Sequence, residues 1–392
     1  MFGQCDGCRE CIEYCSVFPD LFELLDRYAD RDPERMTPAQ QDQLVEACHQ
    51  CRRCVDACGA RVGSESAVDV PRAMVRANAM RVARGHVAGS YRRATRTLGR
   101  RRAVTRLPRG AAHSLRRRLG AFATGISARR VLRASPLWDG SASHPVPPAG
   151  DPQADSAAPP VAVVPTCAVD ALAPYIGTQL AAAITSHGTS CAAAAVECCG
   201  AAALYGGDLE RFAEICAGNV KALIDHARLG GDIVVAERSC AEVLRTYLPD
   251  HVTPELRPEA EAVAAAVRDA VAYLDAAGWD VSPSAAPVIV QRSAAPGTAD
   301  DSLSGLLGRV TGDVAVVDHA VGDAGGWRLR ATNDDRVDDL DGALREELAA
   351  VPDVPVVVET VLAAGAVAES VDRPVRHVVE WLTASPTPPG AP

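Results

Sequence analysis

Lysine is almost missing from this chain: Lys221 stands alone among 40 basic residues, so arginine carries the positive charge everywhere. Arginine abundance is therefore no sign of phosphate recognition here. Aromatics make up only 4% of the 392 residues, which leaves a core to be built from Ala, Val and Leu. No run of 18 apolar residues occurs, which excludes a hydrophobic helix long enough to span a bilayer. The opening Met1-Phe2-Gly3-Gln4-Cys5 has no basic region ahead of an apolar stretch, and predicts no secretory leader. Acidic residues are absent from Val70 to Trp138, where 18 arginines fall; 22 basic and 50 acidic residues remain elsewhere, a formal −28. A Ser-His-Asp arrangement and a G-x-G-x-x-G fingerprint are also missing, since Gly200 and Gly206-Gly207 do not have that spacing. The chain is therefore not expected to hold a nucleotide or flavin itself.

At roughly 150 residues per domain the length implies two or three domains. A composition of 48% apolar and 23% charged residues is that of a globular protein. Such a chain buries enough core to need no disulfide scaffold. Its fourteen cysteines are then best read as thiols or ligands in a reducing cytoplasm.

Spacing decides what eight of them do. Cys5, Cys8, Cys11 and Cys15 read C-x2-C-x2-C-x3-C, and Cys48, Cys51, Cys54 and Cys58 repeat it. A C-x2-C-x2-C loop wraps one face of a cubane, and the fourth cysteine of each run reaches the other cluster in two-cluster proteins. This assigns Cys5, Cys8, Cys11 and Cys58 to one [4Fe–4S] cluster, and Cys48, Cys51, Cys54 and Cys15 to a second. Two Zn(Cys)4 sites fit worse, because zinc sites usually pair two separate C-x2-C units. Between the runs, Asp20 with Glu23 has the form of a helix start; Thr37-Pro38-Ala39-Gln40 is a stronger one, with a helix running through Leu44, Val45 and Ala47 into Cys48. His49 is read as a solvent-facing or hydrogen-bonding neighbour of a ligand.

In the arginine segment, Leu115, Leu119, Phe122 and Ile126 fall on one helical stripe beside Arg116, Arg117 and Arg118. The pattern suits a helix on an anionic membrane surface or an acidic partner; a solvated connector is the competing reading. With Tyr91, Phe122 and Trp138 as its aromatics and no base-reading motif, nucleic acid is not expected. Residues 139–160, rich in Pro, Ala, Ser and Asp, read as a linker.

Strands then alternate with helices: strands at Val161–Val164, Ser190–Val196 and Ile233–Ala236, helices at Ala168–Ser186, Asp208–Leu229 and from Ala241. A second pass places strands at Val288–Val290, Val314–Val317 and Val356–Val358. This predicts two parallel-sheet units, and Val234–Glu237 against Val356–Glu359 gives the look of an internal duplication. Cys167, Cys198, Cys199 and Cys240 follow strands, where such sheets place their ligand sites. They are candidates for a third iron–sulfur cluster or zinc, or else small buried residues. Cys191 and Cys216 are read as core, and the second unit has no cysteine.

With Thr166-Cys167, Cys198-Cys199-Gly200, Gly207-Asp208 and Asn219-Val220 added to the two runs, the chain resembles an iron–sulfur electron-transfer family. That family includes the iron–sulfur components of anaerobic glycerol-3-phosphate dehydrogenase and glycolate oxidase, and the cysteine-rich component of heterodisulfide reductase. The resemblance implies electrons taken from a flavoprotein dehydrogenase and passed to quinone or another redox protein, often at a membrane. The chain departs from that pattern in several places. Ser16 and Gly59 replace the prolines after each run, and Glu237-Arg-Ser-Cys240 keeps one cysteine of a C-x2-C pair. In the second unit Asp323–Trp327 and Glu359–Leu362 stand where cysteines are expected. A noncubane cluster and disulfide reduction are accordingly not expected.

The resulting fold class is α+β and multidomain. A helical ferredoxin-like domain (1–85) precedes an Arg-rich connector and linker (86–160). Two cysteine-rich-type α/β units (161–252 and 253–384) follow, the second degenerate, with a disordered tail (385–392). The expected function is an electron-transfer subunit with two [4Fe–4S] clusters, cytoplasmic and peripheral on the inner membrane face. A heterodisulfide-reductase-like catalyst and a redox-sensing or docking protein are the alternatives.

Overall fold

The computed structural model describes residues 17–48, 50–56, 69–86, 161–196, 198–279, 288–292, 302–307, 314–318, 334–361 and 373–383, with 5, 9, 12, 15, 58, 363, 364, 367 and 371. Expectations placed on Cys8, Cys11, Ser16, His49, Gly59, the 115–130 stripe, the 139–160 linker, Asp323–Trp327 and the 385–392 tail lie outside those residues.

The N-terminal part is helical: α1 (Phe18–Asp26), a 3-10 turn (Pro33–Arg35), α2 (Pro38–Ala47), the short α3 (Arg53–Asp56) and α4 (Val70–Ala83). Helix α1 starts two residues before the predicted Asp20, with Pro19 in its first turn, and buries Phe18, Leu21, Phe22 and Leu25. These pack against Leu44 and Val45 of α2 and Met74 of α4. Helix α2 opens with a capping box: Gln40 N–H donates to Thr37 Oγ1 at 3.3 Å, and Thr37 N–H donates to Gln40 Oε1 at 2.8 Å. It ends on Cys48 as C-cap, so the helix delivers the first cysteine of the second run.

The first α/β unit runs β1 (Val161–Val164), α5 (Cys167–Leu172), α6 (Pro174–Ser186), β2 (Cys191–Ala193), α7 (Ala201–Tyr205), α8 (Leu209–Arg228), β3 (Ile233–Val235), α9 (Arg238–Thr246), α10 (Arg257–Ala266), β4 (Val267–Asp269) and α11 (Ala270–Ala276). The second contributes β5 (Val288–Arg292), α12 (Ser302–Leu307), β6 (Val314–Asp318), α13 (Asp334–Ala349), β7 (Val356–Val358), β8 (Val375–His377) and α14 (Val378–Thr383). All pairings are parallel, in the orders β2-β1-β3-β4 and β6-β5-β7-β8. The two sheets thus share one strand order, and Val235 opposite Asp269 matches Val358 opposite His377.

Other features also differ from the sequence expectation. The helix expected over Ala168–Ser186 is two helices, because Pro174 cannot continue the first and Ala173 takes φ −144°. The expected strand Ser190–Val196 shortens to Cys191–Ala193. Strand β4 lies beyond residue 252, so the first sheet reaches further along the chain than the boundary expected there.

Alternation along the strands makes two cores. Val161, Val163 and Val234 face one way, onto Ile176, Leu180 and Ile184 of α6 and onto residues of the second sheet such as Ile289 and Val357. Ala162, Val164, Ile233 and Val235 face the other way, onto Phe212, Cys216, Val220 and Leu223 of α8. Strands buried on both faces explain why these sequences read as unbroken apolar runs.

Candidate thiol centre

Four cysteines meet at the carboxyl edge of the first sheet. Cys167 opens α5 just past β1, Cys198 and Cys199 precede α7, and Cys240 sits in the first turn of α9 after β3. The Sγ atoms of Cys167 and Cys198 lie 3.5 Å apart, and Cys199 Sγ donates to Cys240 Sγ at 2.9 Å. Cys198, Cys199 and Cys240 are buried, while Cys167 is partly exposed. None of the described cysteines is in a disulfide.

Backbone constraints explain the neighbouring residues. Gly200 takes φ +92°, and a Cβ there would meet the Phe212 ring at 2.7 Å, so only glycine lets α8 pack behind the thiols. Its N–H donates to Cys198 Sγ at 3.3 Å. Asn219, buried in α8, donates through Nδ2 to the Cys198 carbonyl at 3.0 Å. Thr166 adopts φ +61°, ψ 158°, a region essentially reserved for glycine, and caps α5 by accepting from Val169 N–H. Strain of this kind, placed one residue before Cys167, fixes the direction in which that thiol leaves the strand. The resemblance singles out Thr166, Gly200 and Asn219, but the sequence carries no signal for these contacts.

The thiols share charge unequally. Hydrogen bonds from Cys167 and Cys199, helped by Gly200 N–H, hold the Cys198 thiol well below its ordinary pKa despite burial. Cys167 is pushed up first by its hydrogen bond to Cys198 and then by burial, and Cys199 by its hydrogen bonds to Cys198 and Cys240 and then by burial. At Cys240 the Cys199 hydrogen bond favours the thiolate, but burial and the Glu237 carboxylate outweigh it and the pKa rises. A buried set of thiols that shares hydrogen bonds in this way suits a thiophilic cation, which would displace the remaining protons. At a Zn–S distance of about 2.3 Å, tetrahedral thiolates stand about 3.8 Å apart. Cys167 and Cys198 are near that spacing, and Cys199 and Cys240 would have to separate. As they stand, no group of three or more His, Cys, Asp or Glu side chains among the described residues is arranged around a metal position. The donor types fit an iron–sulfur group or zinc. Cys216, by contrast, lies alone in the α8 core, where burial pushes its thiol up to about 12, and Cys191 lies in β2, so neither joins the four.

In the N-terminal part, Cys5, Cys15, Cys48 and Cys54 all pack against the α1–α2 apolar cluster, and Cys51 and Cys58 are partly exposed. Gln50 and Arg52, on either side of Cys51, take φ of 62° and 59°. Gln50 Nε2 also donates to Cys48 Sγ at 3.5 Å. With Cys8 and Cys11 outside the described residues, only six of the eight assigned ligands have a described position.

The second unit brings a carboxylate and a histidine, Glu359 and His377, to the equivalent edge, where they face the first unit's Glu237 and Arg238. Glu237, after β3, accepts from Val361 N–H at 2.9 Å, and His377 Nε2 lies 3.6 Å from the same oxygen. Glu359, the counterpart of Glu237 after β7, pairs with Arg238 at 3.6 Å. Glu237, Glu359 and His377 are each at most 2% exposed.

Residues 161–245 match the cysteine-rich domain family known as CCG. A stretch of 70 residues is 33% identical to citrate utilization protein B of Escherichia coli, covering 18% of this chain and 16% of that protein. No solved structure matches. These likenesses support an iron–sulfur, redox-related family built on CCG domains, without choosing a subfamily. Among the described residues no helix is long and apolar enough to cross a membrane.

Proposed function

We propose that the chain is an iron–sulfur electron-transfer subunit, taking electrons from a flavin-dependent dehydrogenase and passing them to quinone or another redox protein. The observation that carries this reading is the gathering of Cys167, Cys198, Cys199 and Cys240 beside a chain that begins with two ferredoxin-type runs. An iron–sulfur cluster, when bound, supplies reversible one-electron transfer at a potential its surroundings set. Cys5, Cys8, Cys11 and Cys58 would hold one such group, Cys48, Cys51, Cys54 and Cys15 another, and the four CCG-unit cysteines a third or a zinc ion. Gly200 N–H and Gln50 Nε2 donate to the sulfurs of Cys198 and Cys48, and donors of this kind stabilise added negative charge. Three of the four CCG-unit thiols are at most 5% exposed, which gives a disulfide substrate little access and favours electron transfer over catalysis there. The Arg-rich segment between Val70 and Trp138 supplies the charge for an anionic membrane surface.

Iron and sulfide analysis with EPR on anaerobically purified protein tests the reading. About eight irons per chain support the two N-terminal clusters, and about twelve add the CCG-unit group. Two zincs without iron would overturn it.

A further inference from the structure

Arg52 lies between two assigned ligands, Cys51 and Cys54, yet its side chain is spent on another part of the molecule. Its Nε lies 2.8 Å from Glu242 Oε1, and Nη1 donates to Tyr247 Oη at 3.1 Å. Nη1 also lies 3.5 Å from Asp69, and the guanidinium stands 5.6 Å from the centre of the Tyr247 ring. The side chain is 13% exposed and Tyr247 is 1% exposed, so these are contacts withdrawn from water. Glu242 belongs to α9 and Tyr247 is its C-cap; Cys240 lies in the first turn of the same helix. One side chain therefore ties the second N-terminal cysteine loop to the helix that carries a thiol of the CCG unit. A non-glycine residue at φ 59° persists only where surrounding contacts hold it, and the α9 contacts do so.

Nearby contacts make the approach close. Arg72 donates to the Thr246 carbonyl at 2.9 Å and pairs with Asp250. Asn78 Nδ2 donates to the Tyr205 carbonyl at 2.8 Å. Gly207, at φ +77°, lets α4 come so near that a Cβ would stand 2.8 Å from Val82. Those contacts hold α4, whereas Arg52 holds the cysteine loop itself.

We propose that Arg52 is a positioning residue that docks the Cys48–Cys54 loop on α9, fixing the N-terminal cysteine set against the CCG thiol centre, and that its charge raises the potential of the group bound by that loop. The electrostatic half rests on the proposed function; the docking half does not. No bond is made or broken in this role. A cation beside a group that gains an electron favours the reduced form, and the fork of a guanidinium reaches Glu242 and Tyr247 together where an ammonium reaches one.

The test uses the full chain with Arg52→Gln, Arg52→Lys and Tyr247→Phe. Hydrogen exchange on metal-free protein reads the docking: Arg52→Gln and Arg52→Lys should both raise exchange at least tenfold in residues 50–56 and 242–247, and Tyr247→Phe by less. Redox titration monitored by EPR reads the charge. Arg52→Gln should lower the midpoint of one N-terminal cluster by about tenfold in the reduction equilibrium, about 59 mV for one electron, while Arg52→Lys and Tyr247→Phe leave it in place. Unchanged exchange in both arginine variants overturns the docking, and an unchanged potential in an iron-replete Arg52→Gln overturns the electrostatic role. Wild-type protein without iron would sink the proposed function, with the exchange result still deciding whether Arg52 docks the loop. If Arg52→Gln does not fold, Arg52→Lys and Tyr247→Phe decide the docking, and a lowered midpoint in Arg52→Lys overturns the charge role.

Discussion

Glycine 200 shows how much a single position beside the thiols is constrained. Its φ of +92° disfavours any side chain, and the place a Cβ would occupy is 2.7 Å from a Phe212 ring atom in a packed core. Gly200→Ala should therefore cost about 2 kcal/mol, from backbone strain and overpacking together. Gly218, inside α8, has nothing within 4 Å of its Cβ position and an ordinary φ. Gly218→Ala should stabilise the chain by about 0.5–1 kcal/mol through helix propensity. Urea unfolding of the two variants checks the contrast; equal effects would show that the packing behind Cys198 and Cys199 is looser than described. The meeting of Cys167, Cys198, Cys199 and Cys240 was legible from their places after predicted strands, since residues that follow parallel strands converge at the sheet's carboxyl edge. The strained Thr166 was not, because a φ of +61° leaves no mark in a Thr-Cys dipeptide.

At the scale of elements, the two units brace each other across the ends of β3 and β7. Glu237 accepts from Val361 N–H, and Arg238 faces Glu359, so each unit supplies a partner to the other. Glu237→Ala would leave the Val361 N–H buried without an acceptor, at a cost of about 1–3 kcal/mol. Glu237→Gln keeps an acceptor oxygen and should cost less. Thermal unfolding of the pair measures the difference, and a Gln variant as unstable as the Ala variant would assign the effect to the charge facing His377. Valine runs disclose β1, β3 and β7 almost to the residue, because strands buried on both faces leave unmistakable apolar blocks. Strands β4 and β8 leave no such trace: Val267-Arg-Asp269 and Val375-Arg-His377 are three residues long, carry an arginine between two buried positions, and run directly into helices. Their pairing is a long-range event that no local pattern announces.

At the scale of the whole molecule, charge is segregated, with +18 between Val70 and Trp138 and −28 elsewhere. Basic residues near an anionic lipid surface contribute about 1 kcal/mol each, within a Debye length of about 8 Å at physiological salt. The protein should float with anionic vesicles, stay behind with neutral ones, and dissociate as salt rises. Flotation that ignores both lipid charge and salt would remove the membrane from its partners. Two described arginines of this segment do something more local: Arg72 pairs with Asp250, and Arg81 with Asp42 and Glu46, so part of the positive charge is neutralised within the fold.

The apolar cluster that runs from Val163 and Val234 through Ile289 to Val357 belongs to both sheets at once. In effect the two α/β halves pack as two members of a dimer would, within one peptide chain. A half without thiols is then more than a relic beside a working one. It covers an apolar face of the first half, and the covalent tether keeps that cover at a high effective concentration.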